Sequence, residues 1–155
     1  MTVIVYRDGV IASDSAAYRQ GSLTHGVRKI FKGPKTGNLY GIAGTYSIVT
    51  PFIKWLDNGE KGDMPNPNHD PMVTEYLGED DNLTIMIINK DSKRIDLLHA
   101  IGLEIGITSD PYMAIGAPID TALGALYMGA TAKQAVKACI HYSMYANGKI
   151  ETLKF

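Results

Sequence analysis

One cysteine, Cys139, stands in a chain of 155 residues, which excludes an internal disulfide framework and makes a reducing, cytoplasmic setting the default. Charge of one sign is also lacking. The formal net charge is −1, so the total offers no basic face for nucleic acid. No apolar run approaches the roughly 18 residues of a membrane span. The start lacks a basic segment followed by an apolar one, so it does not read as a secretory signal. No internal repeat or linker interrupts the chain, and the expectation is one domain over 1–155 with a sizeable core. His69-Asp70 and Glu79-Asp80-Asp81 bring a histidine near several acids. Their spacing matches no metal-ligand motif, and a solvated loop explains them better.

What is there reads as short strands and a few helices. Val3–Tyr6 and Val10–Asp14 are β-branched runs, and the Asp8-Gly9 between them is a strong hairpin signal. Ser15–Thr24 is polar and reads as a loop. Arg28–Lys32 reads as a strand, as does Asn38–Ala43 after the Gly33–Gly37 turn. Thr45–Asn58 is a helix candidate with Pro51 in its first turn or at a kink. It carries more large apolar residues, Trp55 among them, than one buried stripe requires, which points to a subunit contact. Strands follow at Asn82–Asn89, Arg94–His99, Leu103–Ile107 and Tyr112–Ile115. Pro118 opens a helix through Met128, closed by Gly129. Thr131–Gln134 is a capping box for a second helix, read as running to Asn147-Gly148 with Cys139 and Met144 on its apolar face. Lys149–Leu153 is a last strand.

The opening stretch carries the chemistry. Thr2 follows the initiating Met1. With Met1 removed, Thr2 holds a hydroxyl and a free α-amine, whose unperturbed pKa of about 7.7–8.0 suits a general base. Such a residue needs a rigid strand behind it, an acid to orient it and a cation to tune the amine. Asp14 and Lys29 are of the right types, although a lysine on a strand ordinarily faces solvent.

Thr2, Ala12-Ser13-Asp14-Ser15, Gly26-Val27-Arg28-Lys29-Ile30 and Gly41-Ile42-Ala43-Gly44 occur in an order that resembles the proteasome β-type subunits and HslV, a family of N-terminal nucleophile (Ntn) threonine peptidases. The resemblance is strong over 2–46 and weaker at Ala114-Ile115-Gly116-Ala117. It implies an α+β fold, a four-layer αββα sandwich. It implies Thr2, Asp14, Lys29 and Gly44 as catalytic residues, Gly44 lending its backbone N–H to an oxyanion. Tyr18, Arg19, Gln20 and Thr45 are the implied substrate-binding residues. No cofactor or metal is implied. The implied partners are an unfolded polypeptide or peptide substrate, further copies in a homo-oligomeric ring, and a separate ATPase unfoldase, with no nucleic acid and no membrane.

Two positions depart from the pattern. Ala117 stands where the family places a serine near the nucleophile's amine, and the aspartate that orients the terminus has His141, or nothing, as its match. An intact Met1 would turn the base into an amide nitrogen. Two other readings therefore stand beside the peptidase: an inactive shell subunit that keeps fold and ring, and an Ntn amidase acting on a small amide.

Overall fold

The computed structural model describes residues 2–19, 21–44, 49–59, 83–99, 104–108 and 110–155. Strand β1 (Val3–Arg7) turns at Asp8-Gly9 into β2 (Val10–Ser13). Both turn residues have positive φ, 50° and 79°, the backbone a tight hairpin of this twist requires. The segment expected as a loop, Ser15–Thr24, is instead largely a second hairpin, β3 (Ala16–Arg19) with β4 (Ser22–His25). Its β4 side chains are all exposed, so no apolar alternation marked it in the sequence. Then come β5 (Ile30–Lys32), β6 (Leu39–Ala43) and helix α1 (Val49–Asp57), with Pro51 in the first turn where its missing N–H costs nothing. Strands β7 (Thr84–Ile88), β8 (Ile95–His99), β9 (Glu104–Thr108) and β10 (Tyr112–Gly116) follow. Helices α2 (Ile119–Tyr127) and α3 (Ala132–Tyr142) and strand β11 (Glu151–Lys154) end the chain.

Besides the two-stranded β3-β4 hairpin, the described strands form two antiparallel sheets, in the orders β10-β1-β2-β11 and β5-β6-β7-β8-β9. The period of two along β1 and β2 decides what each face covers. Val3, Val5 and Ala12 face α2 and α3, packing with Ala122, Leu126, Ala135, Val136 and the buried Cys139. Ile4, Tyr6 and Ile11 face the second sheet and pack on Ile30, Leu39, Met86 and Ile88. The outer face of that sheet, through Tyr40, Ile42 and Ile85, holds Phe52, Ile53 and Leu56 of α1. The layers run helix, sheet, sheet, helix. At Gly41 a Cβ would lie 2.6 Å from Ile4 Cγ2, so only glycine lets the sheets come this close here.

Polar anchors join the layers. Asp57, at the end of α1, accepts hydrogen bonds from Lys35 N (2.9 Å), Thr36 N (3.0 Å) and Thr36 Oγ1 (2.6 Å), fastening the β5–β6 turn to the helix. Burial pushes its carboxyl pKa up, but these bonds outweigh burial and hold it below the ordinary value. Arg7 donates from Nη1 to Leu126 O (2.6 Å) and Ala130 O (3.2 Å), closing the C-terminus of α2, where carbonyls lack helical partners.

Two expectations are corrected. The last helix ends at Tyr142, with Ser143 as its cap, so Met144 lies beyond the helix and is exposed. Pro118 is the N-cap of α2 rather than its first residue. The described apolar side chains of α1 are spent on the second sheet: Phe52, Ile53 and Leu56 are buried, and Trp55 packs edge-on against Phe52 at 6.2 Å. Among the described residues the most exposed large apolar side chains lie at and just beyond the ends of α2 and α3, at Tyr127, Met128, Tyr142 and Met144, with Leu23 and Tyr145 less exposed. The His69 and Glu79 segment lies outside the described residues. Among the described residues no helix is long and apolar enough to cross a membrane, and no group of histidine, cysteine and acidic residues could hold a metal ion.

Candidate active site

The start of β1 is held from two sides. On one side β10 pairs with it, Val3 opposite Gly116, and Ala117 N donates to Thr2 O at 3.0 Å. A Cβ on Gly116 would sit 1.9 Å from Thr2 O, and its φ is +110°, so this position is closed to any other residue. On the other side is the end of β2. Asp14 N donates to Val3 O (3.3 Å), and Val3 N donates to Asp14 Oδ1 (3.0 Å). Thr2 is thereby fixed through its own carbonyl and the next amide, and it is 5 % exposed.

Asp14 is the hub. Its side chain is fully buried, and Oδ1 accepts from both Val3 N and Lys29 Nζ, the latter at 2.7 Å. Asn147 N, from the α3–β11 connection, donates to Oδ2 at 3.2 Å. The carboxylate thus takes two backbone amides and one ammonium. The Lys29 side chain is also fully buried, contrary to the ordinary expectation for a strand lysine. Lys29 stands one residue before β5, and its carbonyl accepts from Ile42 N (3.0 Å), which extends the β5–β6 pairing back to it. Burial pulls its pKa below the ordinary lysine value, and the charges of Asp14 and Glu151 oppose that pull.

The residues singled out in the sequence fall into three groups. Asp14 and Lys29 pair directly, and Asp14 also accepts from the amide that follows Thr2. Gly44 follows the last residue of β6, with φ +130°, and is exposed. Tyr18 is on β3, and its Oη donates to Met144 O (3.3 Å), tying the β3–β4 hairpin to the α3–β11 connection. Arg19 closes β3 opposite Ser22. Gln20 and Thr45 lie outside the described residues. Of the two departures, Ala117 bonds to Thr2 through its backbone, and His141 is exposed on the last turn of α3, stacked edge-on against Tyr142 at 4.6 Å.

Sequence reasoning missed Asn147 as part of the site. It read Asn147-Gly148 as a helix end, whereas Asn147 N bonds Asp14 and its carbonyl accepts from Ser15 N at 3.3 Å. No side-chain signal could have found it, because the contact is made by backbone.

A scan against protein-family models finds no match, and a search of curated proteins finds none. Among solved structures, eukaryotic HslV from Trypanosoma brucei superposes with a TM-score of 0.67 at 14 % sequence identity, covering 99 % of this chain and 99 % of that one. The chain has the Ntn-hydrolase fold of that protein, an α+β sandwich with layers in the order αββα.

Proposed function

We propose that the chain is a threonine-type endopeptidase subunit that uses Thr2 as nucleophile once Met1 has been removed. The observation that carries the reading is the fully buried Lys29–Asp14 ion pair, with Asp14 also bonded to the amide that follows Thr2. A buried charge pair of this kind is costly to build, and its position beside a terminal Thr gives it a use.

Thr2 Oγ attacks the amide carbonyl, and its proton passes to the Thr2 α-amine. Lys29 keeps that amine uncharged through like-charge proximity and stabilises developing negative charge, while Asp14 holds Lys29 in place. The Gly44 N–H donates to the tetrahedral oxyanion. The amine then returns the proton to the leaving nitrogen as the C–N bond breaks, and water hydrolyses the resulting ester. Binding of the peptide substrate is assigned, as part of this proposal, to Tyr18, Arg19, Gln20 and Thr45. The reaction requires no cofactor.

We further propose that copies associate into a ring in the cytoplasm and receive unfolded chains, with a separate ATPase as the supplier. The exposed Tyr127, Met128, Tyr142 and Met144 provide apolar surface for contacts between copies.

The test is peptide turnover by the protein lacking Met1. Thr2→Ala should abolish turnover with fold and assembly intact, and Thr2→Ser should retain part of it. Turnover unchanged in Thr2→Ala would refute the mechanism. A processed wild type inert toward proteins and peptides but active on small amides would mark an amidase. Inertness toward both would mark a shell subunit, the reading that Ala117 and the exposed His141 favour.

A further inference from the structure

Ser13, the last residue of β2, is fully buried, and its Oγ has no hydrogen-bond partner among the described residues. An unpaired hydroxyl in such a place costs about 1–3 kcal/mol and calls for an explanation. The period of two sets Ser13 on the same face as Ile11, between the sheets, where Thr2 also falls by its spacing from Ile4 and Tyr6. Ser13 is in register with Ile4 on β1 and with Glu151 on β11. Residues directly opposite in an antiparallel pair have Cβ atoms about 4.5–5.5 Å apart, so a glutamate here reaches the serine hydroxyl by rotating its own side chain.

Glu151 also lies close to Lys29. Leu153, next on the same face of β11, packs into the inter-sheet core, which sets Glu151 on that face too, and Glu151 is half-buried. Strand β5 runs beside β11, with Lys32 Nζ donating to Lys154 O at 3.3 Å. Lys29 bonds Asp14, the residue after Ser13, and Ser13 is in register with Glu151, so Lys29 and Glu151 stand at the same end of the two strands. The charge of Glu151 favours the protonated lysine. Among the described residues, Asp14 from the end of β2 and Glu151 from β11 act on Lys29 by charge. Its chain neighbour Arg28 is exposed, and β6 meets Lys29 through backbone, Ile42 N donating to the Lys29 carbonyl.

We propose that the Glu151 carboxylate docks on the Ser13 hydroxyl and that the two residues form a second positioning arm on Lys29, in addition to Asp14. Ser13 Oγ–H donates to the carboxylate, which satisfies the orphan hydroxyl and holds the negative charge where it keeps the buried ammonium in place. The arm is a property of the resting protein. Its value for catalysis rests on the peptidase reading above.

The experiment is an NMR titration of the protein with lysine labelled at 13Cε, the Lys29 signal being assigned by its loss in Lys29→Arg. Glu151→Gln and Ser13→Ala should each lower the titration midpoint of Lys29 by about half a unit or more. The double variant should lower it no further than Glu151→Gln alone, because the serine acts only through the glutamate. An unmoved Lys29 midpoint in either single variant, or shifts that add in the double variant, would overturn the arm. The titration needs no substrate. A protein that shows these shifts but hydrolyses nothing keeps the arm and loses the peptidase reading. One that turns over peptide but shows no shift loses only the arm.

Discussion

Asp14→Asn isolates the interaction on which the site is built. The wild-type carboxylate accepts from Val3 N, Lys29 Nζ and Asn147 N. An asparagine has one acceptor oxygen for two positions that both face donors. With its oxygen toward Lys29 and Val3, its NH2 meets Asn147 N; reversed, it meets an ammonium. The substitution also leaves the fully buried Lys29 without its nearest counter-charge. Removing one partner of a buried pair costs about 3–5 kcal/mol. For a chain of this length that corresponds to a fall of about 6–20 °C in Tm, at about 2–4 °C per kcal/mol. The loss should depend on pH in a defined direction. Burial already holds the Lys29 pKa below its unfolded value of 10.5. The folded state therefore binds fewer protons than the unfolded state between those two values, and stability rises with pH across that interval. Asp14→Asn lowers the folded pKa further and opens the interval at lower pH. Lys29 then discharges rather than remain a buried cation, and the deficit of the variant shrinks as pH rises. Urea denaturation at fixed protein concentration from pH 6 to 10 measures this. A deficit under about 1 kcal/mol at pH 6, or one that stays constant to pH 10, would refute the reasoning.

Other parts of the molecule give independent tests. Arg7→Ala removes the group that closes α2, and should cost about 1–3 kcal/mol in urea unfolding, partly through lost contact with the Tyr112 ring 5.2 Å away. Asp57→Asn should be destabilising at neutral pH. The wild-type carboxyl pKa is held below its unfolded value of 3.8, so this stabilisation is present above that value and is lost as pH falls through the folded one; the two proteins should converge in acid. Burial pushes the Cys139 thiol up to about 11, so iodoacetamide should leave the native protein unmodified at pH 8 and alkylate it after unfolding, by intact mass.

Much of the scaffold is legible residue by residue. Asp8-Gly9 announces the first hairpin and takes the positive φ values it permits. Thr131 and Gln134 form both bonds of the capping box, at 3.3 and 2.9 Å. The apolar period misleads where it outlasts the helix: Met144 continues the stripe, but the backbone leaves the helix at Ser143. The β3–β4 hairpin is illegible because neither of its faces is a core face over its full length. At the site, residue types point to Thr2, Asp14 and Lys29 only through the resemblance, since nothing in Arg28-Lys29-Ile30 says which lysine or arginine is buried. The structure distinguishes them: Arg28 is exposed and Lys29 is not. Asn147 and Ala117 act through backbone groups that every residue type shares. Ser13 looks like an ordinary strand residue until its register with Glu151 is known.

The most direct test of the central claim is the reaction of the processed protein with a peptide epoxyketone. This probe closes its ring only on a residue bearing both a hydroxyl and a free α-amine. Peptide mapping by mass spectrometry should find the adduct on Thr2 in protein lacking Met1, and none in protein retaining Met1 or in Thr2→Ala. Processed wild-type protein that stays unlabelled across several peptide sequences, or that is labelled at any residue other than Thr2, would contradict the account.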